Sequence, residues 1–443
     1  MSGLDEGAFE TLVPSRFITF TFPNPFASAA DRPRSRHHLH TPLLRVAVLD
    51  SPAQPPPDPA VSAAILVPAG RETDWIFSTV SGHLQLLLNS PHISRLILVG
   101  NLPSHPHPSP FTRPIPIDSA QLSEFEKGVT PLLLALSPKS AFANGLPEIG
   151  FLCYEDDVVR SVIVETCVGG FVGEMLIEDV ELEIDGESEF RRRLRFKRMP
   201  NLVQTQIRIL PGGDTDLGFL VHPYLTPMVA GLKLVSSHLE GRIRAGFKPN
   251  ALCLGVGGGA LLSFLNIQLG FDVTGMEVDE VVVSVARRRF GLPENPFIRV
   301  WTGDGIKLIE ELAAQPCNSE SDGRFDVIMV DLDSNDEGMG TMAPSMEFVQ
   351  KPVLLAARTL LREPGMLVIN VIPPSRSFYE KLVLEFRQVF QELYEIDVGN
   401  AENFVLVAVT TPVGMASTES DSAFVTRLKQ VISGAYMDCI RKI

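Results

Sequence analysis

Short apolar runs recur through the second half of the chain, and each closes on glycine or on an acid. Ala251 to Leu254 is the first, apolar throughout, as a strand buried on both faces requires. Gly255, Gly257, Gly258 and Gly259 follow at once. Leu261, Leu262, Leu265 and Leu269 then recur at helical spacing, and Gly270 stops the helix. A second strand, Asp272 to Met276, ends at Glu277; a third, Phe297 to Trp301, ends in Thr302-Gly303-Asp304-Gly305. A fourth, Phe325 to Val330, opens into Asp331-Leu332-Asp333-Ser334-Asn335-Asp336. Beyond it Pro352 is expected as the first residue of a helix running to Leu361 and ended by Gly365, followed by a fifth strand, Met366 to Val371. Ser377 to Tyr394 reads as a helix with Leu382, Phe386, Val389 and Leu393 inward. Tyr394 to Val398 and Asn403 to Val409 read as a closing hairpin around Gly399-Asn400, and Phe424, Leu428, Val431, Ile432 and Met437 as the apolar face of one last helix.

The first half has a different texture. Residues 1–60 form an arm with one weakly alternating strand, Arg16 to Phe22, and a proline-rich loop, Pro52 to Pro59. Residues 61–150 read as a small α/β unit: a strand at Ala63 to Val67, a helix over Arg71 to Leu88, a strand at Ile93 to Val99 and a helix over Ser119 to Leu136. Residues 151–245 are β-rich, with Val158 to Val164, Glu174 to Ile184 and Phe190 to Leu210 broken by glycine turns, and lead into a helix at Tyr224 to His238. Arg191, Arg193, Arg195 and Lys197 alternate and are expected on one strand face, either paired with acids or docking a substrate. The core then spans 246–412, and 413–443 is a linker with its helix.

Composition narrows the function. The chain of 443 residues is 45% hydrophobic with a formal net charge of −15, enough for two or three domains with large cores. That charge argues against specific nucleic-acid binding and is compatible with a basic protein partner. Cys153, Cys167, Cys253, Cys317 and Cys439 show no paired spacing, as expected of reduced thiols in the cytoplasm. No apolar run reaches membrane-spanning length, and Asp5, Glu6 and Glu10 do not suit a transit peptide. His37, His38 and His40 are close together but lack partner ligands at metal spacing, so no metal site is expected.

Gly255, Gly257 and Ala260 formally satisfy the dinucleotide fingerprint, which leaves a nicotinamide cofactor open at that point. The acids shift the reading. Ligands of open α/β sheets bind at the carboxyl ends of strands, and four successive ends here carry glycines, Glu277, Asp304 and Asp331. Glu277 is placed for ribose hydroxyls and Asp304 for an adenine amino group. The set resembles the Rossmann-like S-adenosyl-L-methionine (AdoMet) methyltransferases, and the antiparallel final strand pair also argues against a dehydrogenase.

Several segments carry a narrower likeness: Ile65-Leu-Val-Pro-Ala-Gly-Arg-Glu-Thr-Asp-Trp-Ile-Phe77, Phe190-Arg-Arg-Arg-Leu-Arg-Phe196, Asn201-Leu-Val-Gln-Thr-Gln206, Met228-Val-Ala-Gly-Leu232, Gly255-Val-Gly-Gly-Gly259 and Phe325 to Ser334. They resemble the polyamine-synthase branch of the methyltransferases. Within it they resemble the C-terminal, N-terminal-amine-methylating domain of the dual elongation factor 1-alpha lysine and N-terminal methyltransferases, over roughly residues 44–410. The resemblance implies a seven-stranded α/β core, AdoMet as cofactor, Gly255, Gly257, Gly259 and Gln204 among its contacts, and elongation factor 1-alpha as protein substrate. It leaves a homodimer open. The family's lysine-methylating domain has no counterpart here, so that activity is not implied. Two departures bear on the reaction. Polyamine synthases carry an aspartate where Gly258 stands, and their acidic helix motif is replaced by Tyr224-Leu-Thr-Pro-Met228. Methylation is therefore expected before aminopropyl transfer, with Asp331 and Asp333 holding the incoming amine; an AdoMet-binding scaffold without turnover stays open.

Overall fold

The computed structural model describes residues 7–25, 41–53, 59–114, 119–315, 324–333, 343–400, 403–413 and 422–443. Asp5, Glu6, His37, His38, His40, Cys317, the loop tip 54–58 and the acidic loop tail 334–336 lie outside them. The chain divides into two compact units: Met1–Glu165 with Glu178–Glu189 and Lys197–Asn201, and Thr166–Ile177 with Phe190–Phe196 and Leu202–Ile443.

The first unit is built on β1 (Phe17–Pro23), β2 (Leu43–Asp50), β3 (Ser62–Leu66), β4 (Arg95–Asn101) and β6 (Gly150–Leu152), with β5 (Phe111–Thr112) between the last two in sequence. The sheet order is β1-β2-β4-β3-β6. The strand period of two splits its apolar residues cleanly. Ala47, Leu49, Leu96 and Leu98 pack with Ile76, Phe77, Leu86 and Leu87 on one face. Leu44, Val46, Val48, Ile97 and Val99 pack with Val129 and Leu133 of the helix Ser119–Ala135 on the other.

The single helix expected over Arg71 to Leu88 is two, Trp75–Ser78 and Val80–Leu88. Asp74 caps the first, and Thr79 turns extended and caps the second by accepting from Gly82 N. A Cβ at Gly82 would stand 2.4 Å from the carbonyl oxygens of Trp75 and Ile76, so only glycine permits this corner.

A second sheet has the order β10-β9-β8-β7-β5, with β7 (Val158–Gly169), β8 (Gly173–Ile184), β9 (Glu187–Phe196) and β10 (Met199–Arg208). The run Phe190 to Leu210 is thus two strands. Lys197 falls in the turn between them and leaves the strand face it was expected to share with Arg191, Arg193 and Arg195. None of these arginines is free. Arg191 donates to Gln206 Oε1 at 3.2 Å and Arg192 to the Arg289 carbonyl at 2.8 Å.

The second unit carries an eight-stranded sheet made of β11 (Asn250–Leu254), β12 (Asp272–Glu277), β13 (Ile298–Thr302), β14 (Phe325–Val330), β15 (Leu361–Val371), β16 (Glu392–Asp397), β17 (Phe404–Val409) and β18 (Arg441–Lys442). The order is β13-β12-β11-β14-β15-β17-β16-β18. The first five in that order run parallel, and β17 enters antiparallel beside β15. The seven expected strands are all present, and β18 adds an eighth by pairing Arg441 with Glu395 on β16.

Helices cover both faces. Met228, Leu232, Val235 and Leu239 of the lead-in segment join Leu262, Leu265 and Val407 on one side. Leu308, Leu354, Ala357, Leu382 and Phe386 join Ile328, Leu367 and Leu406 on the other.

Helix ends are where expectation and structure part. The lead-in is Leu225–Ala230, a 3-10 turn Gly231–Val235 and Ser236–Arg244. Pro352 is the second residue of Lys351–Leu360, and Gly365 lies inside β15 instead of ending that helix. A Cβ at Gly365 would stand 2.6 Å from the Arg362 carbonyl, so the glycine serves a tight strand bend. The helix expected to reach Tyr394 stops at Arg387. Val389, Phe390 and Leu393 continue the inward apolar spacing through the turn into β16, so periodicity does not register the stop. The last helix divides into Ala423–Val431 and Ala435–Asp438.

Candidate functional site

The carboxyl ends of β11, β12, β13 and β14 lie side by side because these strands are adjacent and parallel. The chain leaves β11 through Gly255, whose φ of +84° suits glycine and whose N–H donates to the Met276 carbonyl at 3.0 Å. A Cβ here would stand 2.1 Å from the Asp331 carbonyl oxygen, so the glycine is what lets the turn pass the end of β14. Gly257 and Gly259 also take positive φ, and Gly259 opens the helix Ala260–Leu269. At Gly258 any side chain meets Thr205: its Cβ would lie 2.8 Å from Thr205 Cγ2 and 3.0 Å from Phe290.

Glu277 at the end of β12 is buried, and its Oε2 accepts from Val256 N at 3.1 Å and Gly257 N at 3.2 Å. Its Oε1 accepts from Asp279 N at 3.4 Å. Burial raises the Glu277 carboxyl above the usual range, against the opposing pull of these N–H donors. Glu277 therefore ties the glycine turn to the end of β12. Asp304, after β13, is exposed and caps the helix Gly305–Ala314, its Oδ1 accepting from Ile306 N at 2.9 Å and Lys307 N at 3.3 Å.

Asp331 stands at the centre. Its Oδ2 accepts from the Tyr224 hydroxyl at 2.9 Å and its Oδ1 from Asn370 Nδ2 at 3.3 Å. Asn370 is held in turn by Asn403, whose Nδ2 donates to its Oδ1 at 2.9 Å. Burial pushes the Asp331 carboxyl up to about 6; the bonds from Tyr224 and Asn370 pull it down, and the charges of Asp333 and Glu277 add to the rise. The group is thus ionised at neutral pH but within reach of a proton. Asp333 is half-buried two residues on.

Gln204, on β10, is the remaining expected residue. Its carbonyl oxygen is 3.9 Å from where a Cβ on Gly257 would sit, so it borders the glycine turn. Its Nε2 is buried with no hydrogen-bond partner among the described residues.

Tyr224, Asn370 and Asn403 were not singled out as site residues by sequence reasoning. Asn370 did carry a signal, a lone amide within Met366-Leu-Val-Ile-Asn-Val371. Beneath Tyr224 lies His222, ring centroids 4.9 Å apart. Burial, with Arg193 and Arg191 nearby, pushes its pKa down to about 4, so it is neutral.

Strand order and the left-handed glycine turn after β11 define a Rossmann-like α/β fold, with acids at the ends of β12, β13 and β14. Among curated proteins the chain is similar to the eEF1A lysine and N-terminal methyltransferase of Homo sapiens, 25% identical over 420 residues, covering 86% of this chain and 54% of that protein. The Danio rerio protein of the same name is 26% identical over 371 residues, covering 78% and 50%. The Drosophila melanogaster homolog is 26% identical over 362 residues, covering 79% and 49%. The chain thus spans about half the length of the curated relatives it matches. Solved structures that match include human methyltransferase-like protein 13 in complex with SAH, at 23% identity and a TM-score of 0.40, covering 48% of this chain and 92% of that one. A probable spermidine synthase from Corynebacterium glutamicum matches at 14% and 0.42, covering 60% and 85%. No family model matches the chain.

AdoMet fits the residues present. The Gln204 Nε2, without a partner among the described residues, has donor capacity that a carboxylate would satisfy. The glycines let the turn pack against Asp331, Thr205 and Leu292 and leave it free of side chains of its own, and Asp331, with Asp333 and Glu277 near it, gives the site negative charge that suits a cationic donor.

Proposed function

We propose that the chain is an AdoMet-dependent protein N-methyltransferase, and that its acceptor is the N-terminal amine of translation elongation factor 1-alpha. The observation that carries this is Asp331: an acid at a strand end beside the glycine turn, held from two sides by Tyr224 and Asn370. Bound AdoMet supplies an electrophilic methyl group on a positively charged sulfur. In our reading Gly255, Gly257 and Gly259 admit the donor, Gln204 meets its carboxylate, Glu277 faces the ribose side and Asp304 the adenine side.

An attacking amine must be neutral and aimed. An α-amino group, with a pKa of about 7.7–8.0, loses its proton far more readily than lysine at about 10.4. Asp331, ionised above about pH 6, can hold the incoming ammonium and accept its proton, while the bonds from Tyr224 and Asn370 fix the direction of its oxygens. Asp333 adds negative charge beside it. The relatives' names, which include N-terminal methyltransferase, agree with the amine acceptor. Aminopropyl transfer is the second reading. It is disfavoured because an aspartate at Gly258 would drive its Cβ into Thr205.

Asp331→Asn tests the assignment. Its affinity for AdoMet by calorimetry should stay within about twofold of the wild type, with turnover down at least about a hundredfold. Full turnover would remove Asp331 from the reaction. The substrate is tested separately, by labelling a cell extract with tritiated AdoMet and mapping the labelled peptide. Label on the first residue of elongation factor 1-alpha is the expected result, and label confined to other proteins would refute that choice.

A further inference from the structure

The hairpin tip between β7 and β8 is held by a carboxylate 108 positions away from Phe171 in the chain. Asp279 follows Glu277 by two residues, is 1% exposed, and splits its two oxygens between two tasks. Its Oδ1 accepts from Val281 N at 3.0 Å and caps the helix Glu280–Arg289. An N-cap needs only that one oxygen. Its Oδ2 accepts from Phe171 N at 2.7 Å and Val172 N at 3.0 Å. Gly169 allows this approach, since a Cβ there would stand 2.3 Å from the same oxygen. Burial raises the Asp279 carboxyl, but the donors of Phe171, Val172, Val281 and Gly170 outweigh it and hold the group below the usual range.

Apolar burial does little to hold the tip. Val168 is 67% exposed and Phe171 74%, so Val172 is the one large apolar side chain of the turn that is buried. The Asp279 backbone N–H meanwhile donates to Glu277 Oε1, and Glu277 Oε2 holds the glycine turn. Asp279 therefore holds the hairpin tip through its carboxylate and Glu277 through its backbone N–H, and so joins the tip to the glycine turn.

We propose that Asp279 is a positioning residue for the donor site, and that the hairpin tip at Gly169 to Val172 is a clasp fastened to it that sets affinity for AdoMet without entering the methyl-transfer step. This rests on reading the Glu277 end of the sheet as the donor site. Asp279→Ser keeps a one-oxygen helix cap and removes the second oxygen, so the helix stays capped while the hairpin is released. Gly169→Ala attacks the same contact from the other side.

Both variants, made in the full chain, should raise the Kd for AdoMet by about tenfold, because Glu277 and the glycine turn lose an anchor that presets them for the donor. kcat at saturating AdoMet should stay near wild type, while the melting temperature falls by a few degrees with the loss of bonds to a buried charged acceptor. Hydrogen exchange gives a readout independent of activity: AdoMet should slow exchange at the Phe171 and Val172 amides in the wild type and not in Asp279→Ser. Wild-type Kd in both variants, or exchange at the tip indifferent to AdoMet in the wild type, would overturn the clasp. Wild-type chain that fails to bind AdoMet at all would instead overturn the donor-site reading, and the clasp with it.

Discussion

Asp331 collects opposing influences within a few ångströms. Burial raises its carboxyl to about 6 while the Tyr224 hydroxyl at 2.9 Å pulls the other way. The carboxylate is the working form, so activity should fall as pH drops through about 6. Tyr224→Phe removes the stabilising donor and leaves burial and Asp333 less opposed. The acid then stays protonated to higher pH, and the acidic limb of kcat/KM should move upward by roughly half to one pH unit. A pH–rate profile with the limb unmoved would show that the tyrosine does not tune the acid. Asp331 was legible in the sequence because it directly follows an apolar strand. Its partners were not, because a hydrogen bond between residues 107 positions apart leaves no trace in local pattern.

Among the elements, the seven strands β11 to β17 and the glycine turn were legible, whereas β2, β5, β6 and β18, the division of β9 from β10 and several helix ends were not. Gly255 shows why the turn was: its position follows from the strand before it and the helix after it. What the sequence withheld is how little room it has. An alanine at 255 would carry an unfavourable left-handed backbone, about 1–2 kcal/mol. Its Cβ would also press to 2.1 Å on the Asp331 carbonyl oxygen. Gly255→Ala should therefore abolish calorimetric AdoMet binding while far-UV circular dichroism stays near wild type. The helix expected over Ser377 to Tyr394 failed for the opposite reason. Apolar spacing reports which side faces the core, and the chain keeps facing the core after the helix has become β16.

At the scale of the molecule, the second unit hangs together at the other end of its sheet on one acid. Asp326 is fully buried at the start of β14 and accepts from His238 Nε2 at 2.8 Å and Asn250 N at 2.7 Å. The Nε atoms of Arg242 and Arg362 lie 3.3 and 3.5 Å from it. It thereby joins the helix Ser236–Arg244, β11, β14 and β15. Asp326→Ala would leave two partly buried arginines and the Asn250 N–H without their acceptor and should destabilise this unit by about 2–4 kcal/mol, read from chemical denaturation. The first unit has its own counterpart in Arg95 and Asp50, paired at 2.6 Å with both side chains buried. Nothing about Asp326 marks it in the sequence, where it reads as one polar residue opening an apolar strand.

The sequence by itself determined the succession of strands β11 to β17 along the chain, the left-handed turn at Gly255 to Gly259 and the acids after β12, β13 and β14. These depend on neighbours in the chain: a strand buried on both faces must be apolar throughout, and a backbone at positive φ selects glycine. Tertiary structure alone decided which groups meet. It brought Tyr224, Asn370 and Asn403 to Asp331, turned Asp304 to its own helix, and closed the hairpin tip on Asp279. Such contacts join segments that only the packing of the sheet brings within hydrogen-bonding distance, and no periodicity of two or 3.6 residues encodes them.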